Sequence, residues 1–242
     1  MSTNRKFMAL ALLLLTAGPT WAQTFTAKGV KIAYLNEGKG GPVVLVHGLF
    51  SSTFINWQLP GIVAELKKTH QVISLDLPGH GFSARPLDKE AYGIQMVDDV
   101  ALLMDHLKIK KAHIVGYSLG GMITFKFMTK YPERVLSGTV CGMGWLQEGS
   151  LLQKFWDGAG KDIKLGPPPV MLESIQQLAV TEHHLKKIDL PVKVLIGSKD
   201  ICKQLYVDPL RKVRKDWPVV EIKDADHLIC IFNPQLRDEI AA

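Results

Sequence analysis

Gly116-Tyr117-Ser118-Leu119-Gly120-Gly121 places a serine between small residues, directly after an apolar run and before a stretch with helical spacing. A G-x-S-x-G turn between a strand and a helix presents a hydroxyl above the strand end, and the first helical amide beside it is an unpaired donor in a positive field. A serine hydroxyl is a weak nucleophile and needs a base, which in turn needs an orienting acid. His227, in Asp224-Ala225-Asp226-His227-Leu228, follows the last strand-like run, and Asp200, in Gly197-Ser198-Lys199-Asp200, follows the one before it. If strand ends bring them together, Ser118, Asp200 and His227 form a triad for acyl chemistry through a covalent acyl-serine.

The competing residues carry weaker signals. Asp226 is the neighbour of the base on its own loop and is expected to point away from the ring; Asp208 is the next alternative acid. Of the eight histidines, His47 and His80 sit in glycine turns and read as structural, and His106 and His113 as ordinary surface or core residues. His183-His184 is a pair without a carboxylate or cysteine to complete a ligand set, so no metal is expected. Val46-His47-Gly48-Leu49-Phe50 leaves a backbone N–H free near the serine turn. The oxyanion hole is therefore assigned to the amides of Leu49 and Leu119, with Phe50 as the substitute for Leu49.

These residues need elements to position them. Strand-like runs are read at Ala27–Leu35, Val43–Val46, Gln71–Leu75, Ala112–Gly116, Val135–Val140, Val192–Ile196 and Val219–Ile222. Helical stretches are read at Phe54–Lys67, Ile94–Leu107, Leu119–Lys130, Gln204–Lys215 and from Pro234. Apolar strands without polar alternation, separated by helices, predict an α/β fold with a mainly parallel sheet covered on both faces. Gly144–Lys187 breaks the rhythm: it has no strand, includes the stiff run Gly166-Pro167-Pro168-Pro169, and reads as a short cap over the strand ends.

The chain has 242 residues, 47% of them apolar and 21% charged, which suits one globular domain. Its first stretch reads as a secretory signal peptide, residues 1–22: Arg5 and Lys6, the apolar run Phe7–Ala17, a break at Gly18-Pro19, and Thr20-Trp21-Ala22 before Gln23. Without it 27 basic and 23 acidic residues remain, a net charge of +4. The expected location is outside the cytoplasm, periplasmic or extracellular, with no stable membrane span after cleavage. The basic cluster Arg211-Lys212-Val213-Arg214-Lys215 reads as a solvated helix face, without a nucleic-acid-binding motif around it.

Together, Val43-Val44-Leu45-Val46-His47-Gly48, Asp76-Leu77-Pro78-Gly79-His80-Gly81-Phe82-Ser83 and the Ser118 turn resemble the α/β-hydrolase superfamily, in its small esterase-like branch with a His-Gly oxyanion loop. The resemblance implies about eight strands, a cap after the sixth, an acid after the seventh, the chain order Ser, Asp, His, and no cofactor. Relatives usually continue past the point, Ala242, where this chain stops. Serine where other members carry aspartate implies acyl-enzyme rather than alkyl-enzyme chemistry. The expected activity is hydrolysis of carboxylic esters or similar acyl bonds of small apolar molecules; acyl transfer, peptidase action or carbon–carbon hydrolysis on the same triad, and a non-catalytic binding protein, are the alternatives. Phe50, Met143, Trp145 and Leu146, with Phe155 and Trp156, either line an apolar substrate pocket or form the cap's own core. In such a fold the loops of Cys202 and Cys230 are neighbours, which suggests a disulfide; the alternative is two small buried apolar residues. Oligomeric state is not legible.

Overall fold

The computed structural model describes residues 22–159 and 168–242. The leader expected over residues 1–22 lies outside them except for Ala22, as do Gly166 and Pro167 of the stiff loop. Eight strands form one sheet: β1 Gln23–Ala27, β2 Val30–Gly38, β3 Gly41–Val46, β4 His70–Leu75, β5 Ala112–Tyr117, β6 Val135–Cys141, β7 Val192–Gly197 and β8 Val219–Ile222. The spatial order is β1-β2-β4-β3-β5-β6-β7-β8, antiparallel at β1/β2 and β2/β4 and parallel from there on. The run read as one strand at Ala27–Leu35 is a hairpin. Lys28 and Gly29 both take positive φ, 44° and 85°, which is the tight turn that matches strand twist.

Residues alternate between two cores along each strand, as a period of two requires. Val44 and Val46 of β3 and Ile73 and Leu75 of β4 face one cluster; Val43, Leu45 and Val72 face the other. The first cluster is covered by α2 Ile94–His106 and α3 Leu119–Lys130, the second by α1 Ile62–Leu66 and α8 Pro234–Ala241. The helix read over Phe54–Lys67 is interrupted: Gly61 at φ 79° separates the turn Phe54–Gln58 from α1.

The described part of residues 144–187 contains α4 Leu151–Gly158, α5 Pro169–Ser174 and α6 Glu182–Lys186, and a parallel bridge, Gln147 to Val180. Trp145 and Leu146 are each 2% exposed and belong to the first core cluster, with the Trp145 indole N–H donating to the Val180 carbonyl at 2.7 Å. The basic cluster flanks α7 Asp208–Val213. Its Arg214 is a structural bridge: it donates to the carbonyls of Leu185 and Ile188, pairs with Asp216, and lies 3.9 Å over the Trp217 ring.

Asp99, on α2, is 1% exposed and its carboxylate has one side-chain partner, the Gln95 amide at 2.9 Å. Burial raises its pKa to about 7, with the Asp98 charge adding to the rise and the Gln95 hydrogen bond opposing it. The folded protein thus holds this proton far above the pH at which an unfolded aspartate releases it. Stability carried by the protonated form is complete below about pH 4 and is lost as pH rises toward 7. Asp99→Asn should flatten urea-denaturation stability across that window and raise it at pH 8 by about 1–3 kcal/mol. A variant with the same pH slope as the parent protein would contradict this.

Candidate active site

The register of the sheet sets out the site. Val46 of β3 lies beside Gly116 of β5, Tyr117 beside Cys141 of β6, Cys141 beside Leu195 of β7, and Gly197 beside Ile222 of β8. Leu49, Ser118, Asp200 and His227 each lie a few residues beyond one of these carboxyl ends. β3 is also where the order of strands reverses, so the serine turn opens at the switch point where open parallel sheets bind ligands.

Ser118 has φ 53° and ψ −114°, a strained backbone for a residue with a side chain, and caps α3. It is held from both sides: its N–H donates to the Cys141 carbonyl, and its carbonyl accepts from the N–H groups of Gly121 and Met122. Its Oγ lies 2.9 Å from Nε2 of His227. Nδ1 of His227 lies 2.9 Å from Oδ2 of Asp200, whose other oxygen accepts from the Cys202 N–H at 2.8 Å. An ionised carboxylate only accepts, so the ring proton sits on Nδ1 and the Nε2 lone pair faces the hydroxyl, which donates. The Asp200 side chain is fully buried and that of His227 is 29% exposed, so the relay runs from the interior to the cavity.

The loop carrying His227 is fastened by partners far from it along the chain. The Tyr117 hydroxyl donates to the His227 carbonyl at 2.7 Å, and burial raises the pKa of this phenol, so it remains a donor. Ser198 Oγ accepts from the Asp224 N–H, and the Lys199 N–H donates to the Ala225 carbonyl. Asp226 turns from the ring and accepts the N–H groups of Leu228 and Ile229, which holds its pKa down.

Among the described residues, the N–H groups of Leu49 and Leu119 donate to no other group. The Phe50 N–H cannot substitute for that of Leu49, because it donates to Nε2 of His80 at 3.1 Å. The loop is held by two neutral histidines and an amide. His47 donates from Nδ1 to the Gly48 carbonyl and accepts the Leu77 N–H at Nε2; Asn56 Oδ1 accepts the Gly48 N–H at 2.8 Å. Burial lowers the pKa of His47 to about 4 and, with nearby His47 and Arg85, that of His80 to about 3. Asp76, from the motif Asp76-Leu77-Pro78-Gly79-His80-Gly81-Phe82-Ser83, accepts the N–H groups of Thr53 and Phe82 and ties this loop to the next.

A cavity of about 250 Å³ opens onto Ser118 and His227, with Phe50, Ile55, Leu228 and Phe232 as its apolar walls. Ser118 also lines a small pocket of about 40 Å³ bounded by Leu49, Leu119, Met122, Met143, Trp156 and Ile175. Of the expected apolar lining residues, Phe50 and Met143 are therefore at the site. Trp145 and Leu146 are not among the residues lining either cavity; their side chains are consumed in the core beneath. Phe155 is 63% exposed, while Trp156 reaches the inner pocket. A larger cavity, about 690 Å³, lies at the opposite end of the sheet, against His113, Ser137 and Lys193 at the starts of β5, β6 and β7.

Cys202 and Cys230 are free thiols, so the expected disulfide is not formed. Both are buried, and burial raises the pKa of each thiol, with the Asp200 charge adding to the rise. Ligand atoms of Asp200, Cys202 and His227 lie within 4.8 Å of one another, a spacing compatible with a metal. The donor set does not fit one well. Burial and the Asp200 charge push the Cys202 thiol up to about 12, whereas a ligand must be the thiolate, and Nδ1 and Oδ2 are bonded to each other.

Residues 41–163 match the model of the α/β hydrolase fold family. The chain is 34% identical, over 174 residues, to the dihydrolipoyllysine-residue acetyltransferase component of the acetoin cleaving system of Pseudomonas putida, covering 69% of this chain and 45% of that one. It is 33% identical over 119 residues to the 2-hydroxymuconate semialdehyde hydrolase of Pseudomonas sp. strain CF600, covering 48% of this chain and 41% of the relative. The matches thus span less than half the length of these curated relatives. The backbone is similar to that of a carboxylesterase from Nitrososphaera gargenis, with a TM-score of 0.73 at 19% identity, covering 90% of this chain and 96% of the other.

Proposed function

The chain belongs to the α/β-hydrolase family, and on that premise we propose that it is a serine hydrolase cleaving carboxylic esters or similar acyl bonds of small molecules. The observation that carries this reading is the unbroken relay from Ser118 Oγ through His227 to Asp200, at 2.9 Å and 2.9 Å. In the proposed reaction His227 Nε2 takes the hydroxyl proton as Ser118 Oγ attacks the carbonyl carbon. The carbonyl oxygen becomes an oxyanion held by the N–H groups of Leu49 and Leu119. Asp200 keeps the ring in the required tautomer and stabilises its cation. The imidazolium then protonates the leaving oxygen, the acyl-serine forms, and a water deprotonated by the same nitrogen releases the acid. The proposed cycle uses no cofactor. The leader-like first 22 residues support export, and amino-terminal sequencing of secreted material tests it.

The 40 Å³ pocket beside the nucleophile has room for about three water-sized groups. We assign it to the acyl substituent, and the 250 Å³ cavity to the leaving group. Acetyl and propionyl aryl esters should be turned over with a burst of the phenol, and kcat/KM should fall about tenfold or more by hexanoyl. Met143→Ala should shift the optimum toward longer chains. A parent protein preferring octanoyl esters would overturn the assignment, and absence of turnover on the whole panel would count against ester chemistry itself.

One relative's name favours a second reading, hydrolysis of a carbon–carbon bond next to a ketone. It predicts cleavage of a vinylogous 1,5-diketone by this protein in preference to the esters, measured on the same preparation.

A further inference from the structure

The cavity over Ser118 continues past Phe50. Phe50, Ser51 and Ile55 are shared with a second cavity of about 270 Å³, whose other walls include Gly79, His80 and Arg85. Among the described residues, no carboxylate lines either one. Asp76, behind the second, has both oxygens occupied by the N–H groups of Thr53 and Phe82. His80 is uncharged in its place, with Nδ1–H on the Pro78 carbonyl and Nε2 on the Phe50 N–H. Arg85 is exposed and forms no ion pair or hydrogen bond among the described residues. Ser51 Oγ is buried without a hydrogen-bond partner, and Ser51 lines both cavities.

We propose that the second cavity is a leaving-group subsite for a carboxylate, bound by Arg85 with help from the Ser51 hydroxyl. Preferred substrates are then esters of hydroxy acids, with an apolar spacer between the scissile ester and the anion. The spacer lies along Phe50 and Ile55, and the carboxylate reaches Arg85, which among the described residues is the unpaired cation lining the groove. A guanidinium presents two parallel donors that match a carboxylate, and a buried hydroxyl left without a partner is costly until a ligand supplies one. The proposal rests on the acyl-serine reading for the direction in which the substrate lies.

The test compares 4-acetoxyphenylacetate with its uncharged analogue 4-acetoxyphenylacetamide. The parent protein should favour the carboxylate about fivefold to tenfold in kcat/KM, mainly through KM, with the ratio falling as salt is added, because the pair is open to solvent. Arg85→Gln should bring the ratio near one, Arg85→Lys should keep part of it, and Arg85→Glu should invert it. In Ser118→Ala, equilibrium binding of 4-hydroxyphenylacetate against 4-hydroxyphenylacetamide should show the same dependence on Arg85. That measurement needs no turnover, so failure of the serine chemistry and failure of the anion subsite are read separately. A parent ratio of one or less, or a ratio that survives Arg85→Gln, overturns the proposal.

Discussion

Ser118→Ala and His227→Ala should each lower kcat on an aryl acetate by about 10⁵- to 10⁶-fold, and the double variant should lower it no further. The reason is the shared proton. Nε2 of His227 lies 2.9 Å from Ser118 Oγ, and neither group activates an acyl carbon without the other. Once one is gone, the second loses its role, and residual catalysis comes from the oxyanion donors and from binding. Asp200→Asn should cost about 10⁴-fold, because a carboxamide can donate to Nδ1 and force the proton onto Nε2, where the hydroxyl needs a lone pair. Single-turnover rates give these values without interference from product release. Losses that multiply in the double variant would mean that the two residues act separately.

Gly120→Ala should be the most disruptive small substitution outside the relay. A Cβ at this position would stand 1.9 Å from the Val46 carbonyl oxygen, 2.6 Å from its carbon and 2.9 Å from the His47 carbonyl oxygen. All three are backbone atoms, so no rotamer change relieves the contact. Either the end of β3 or the start of α3 must move, and these carry Leu49 and Ser118. Overpacking of this kind costs typically 1–3 kcal/mol and occasionally more, and about 3 kcal/mol is expected here. A displacement near 1 Å at the serine turn adds a loss of about 10²-fold in kcat/KM. Gly158→Ala is the control: nothing lies within 4 Å of the added carbon, and it should change urea stability by less than about 0.5 kcal/mol. Equal stability for the two variants would contradict the packing argument.

The alternation of apolar strands and helices was legible because it follows from local patterning, and the strand ends at Val46, Tyr117, Gly197 and Ile222 fall close to where the runs stop. The Lys28-Gly29 hairpin was missed because lysine is an uncommon first residue for a positive-φ turn, although the glycine after it was a usable sign. The site was legible as far as its residue types and their places after strands. What remained hidden depends on partners distant in sequence. The Phe50 amide is removed from the oxyanion assignment by His80, thirty positions on, and the His227 loop is fastened by Tyr117, more than a hundred positions before it. Trp145 and Trp156 look alike on the chain, yet one fills the core and the other reaches the pocket, because packing around β6 decides which way each faces. The loops of Cys202 and Cys230 are joined through the Lys199 N–H and the Ala225 carbonyl, but both thiols stay free and buried.

The central claim is that Ser118 is an activated nucleophile, and a fluorophosphonate tests it without any assumption about the natural substrate. Incubated with the folded protein near neutral pH, the reagent should add one phosphonyl group per chain, mapped by mass spectrometry to Ser118. It should leave Ser118→Ala unmodified and react far more slowly with His227→Ala. A folded protein that stays unlabelled, or one whose adduct maps to another residue, would show that the relay beside the serine does not make it reactive.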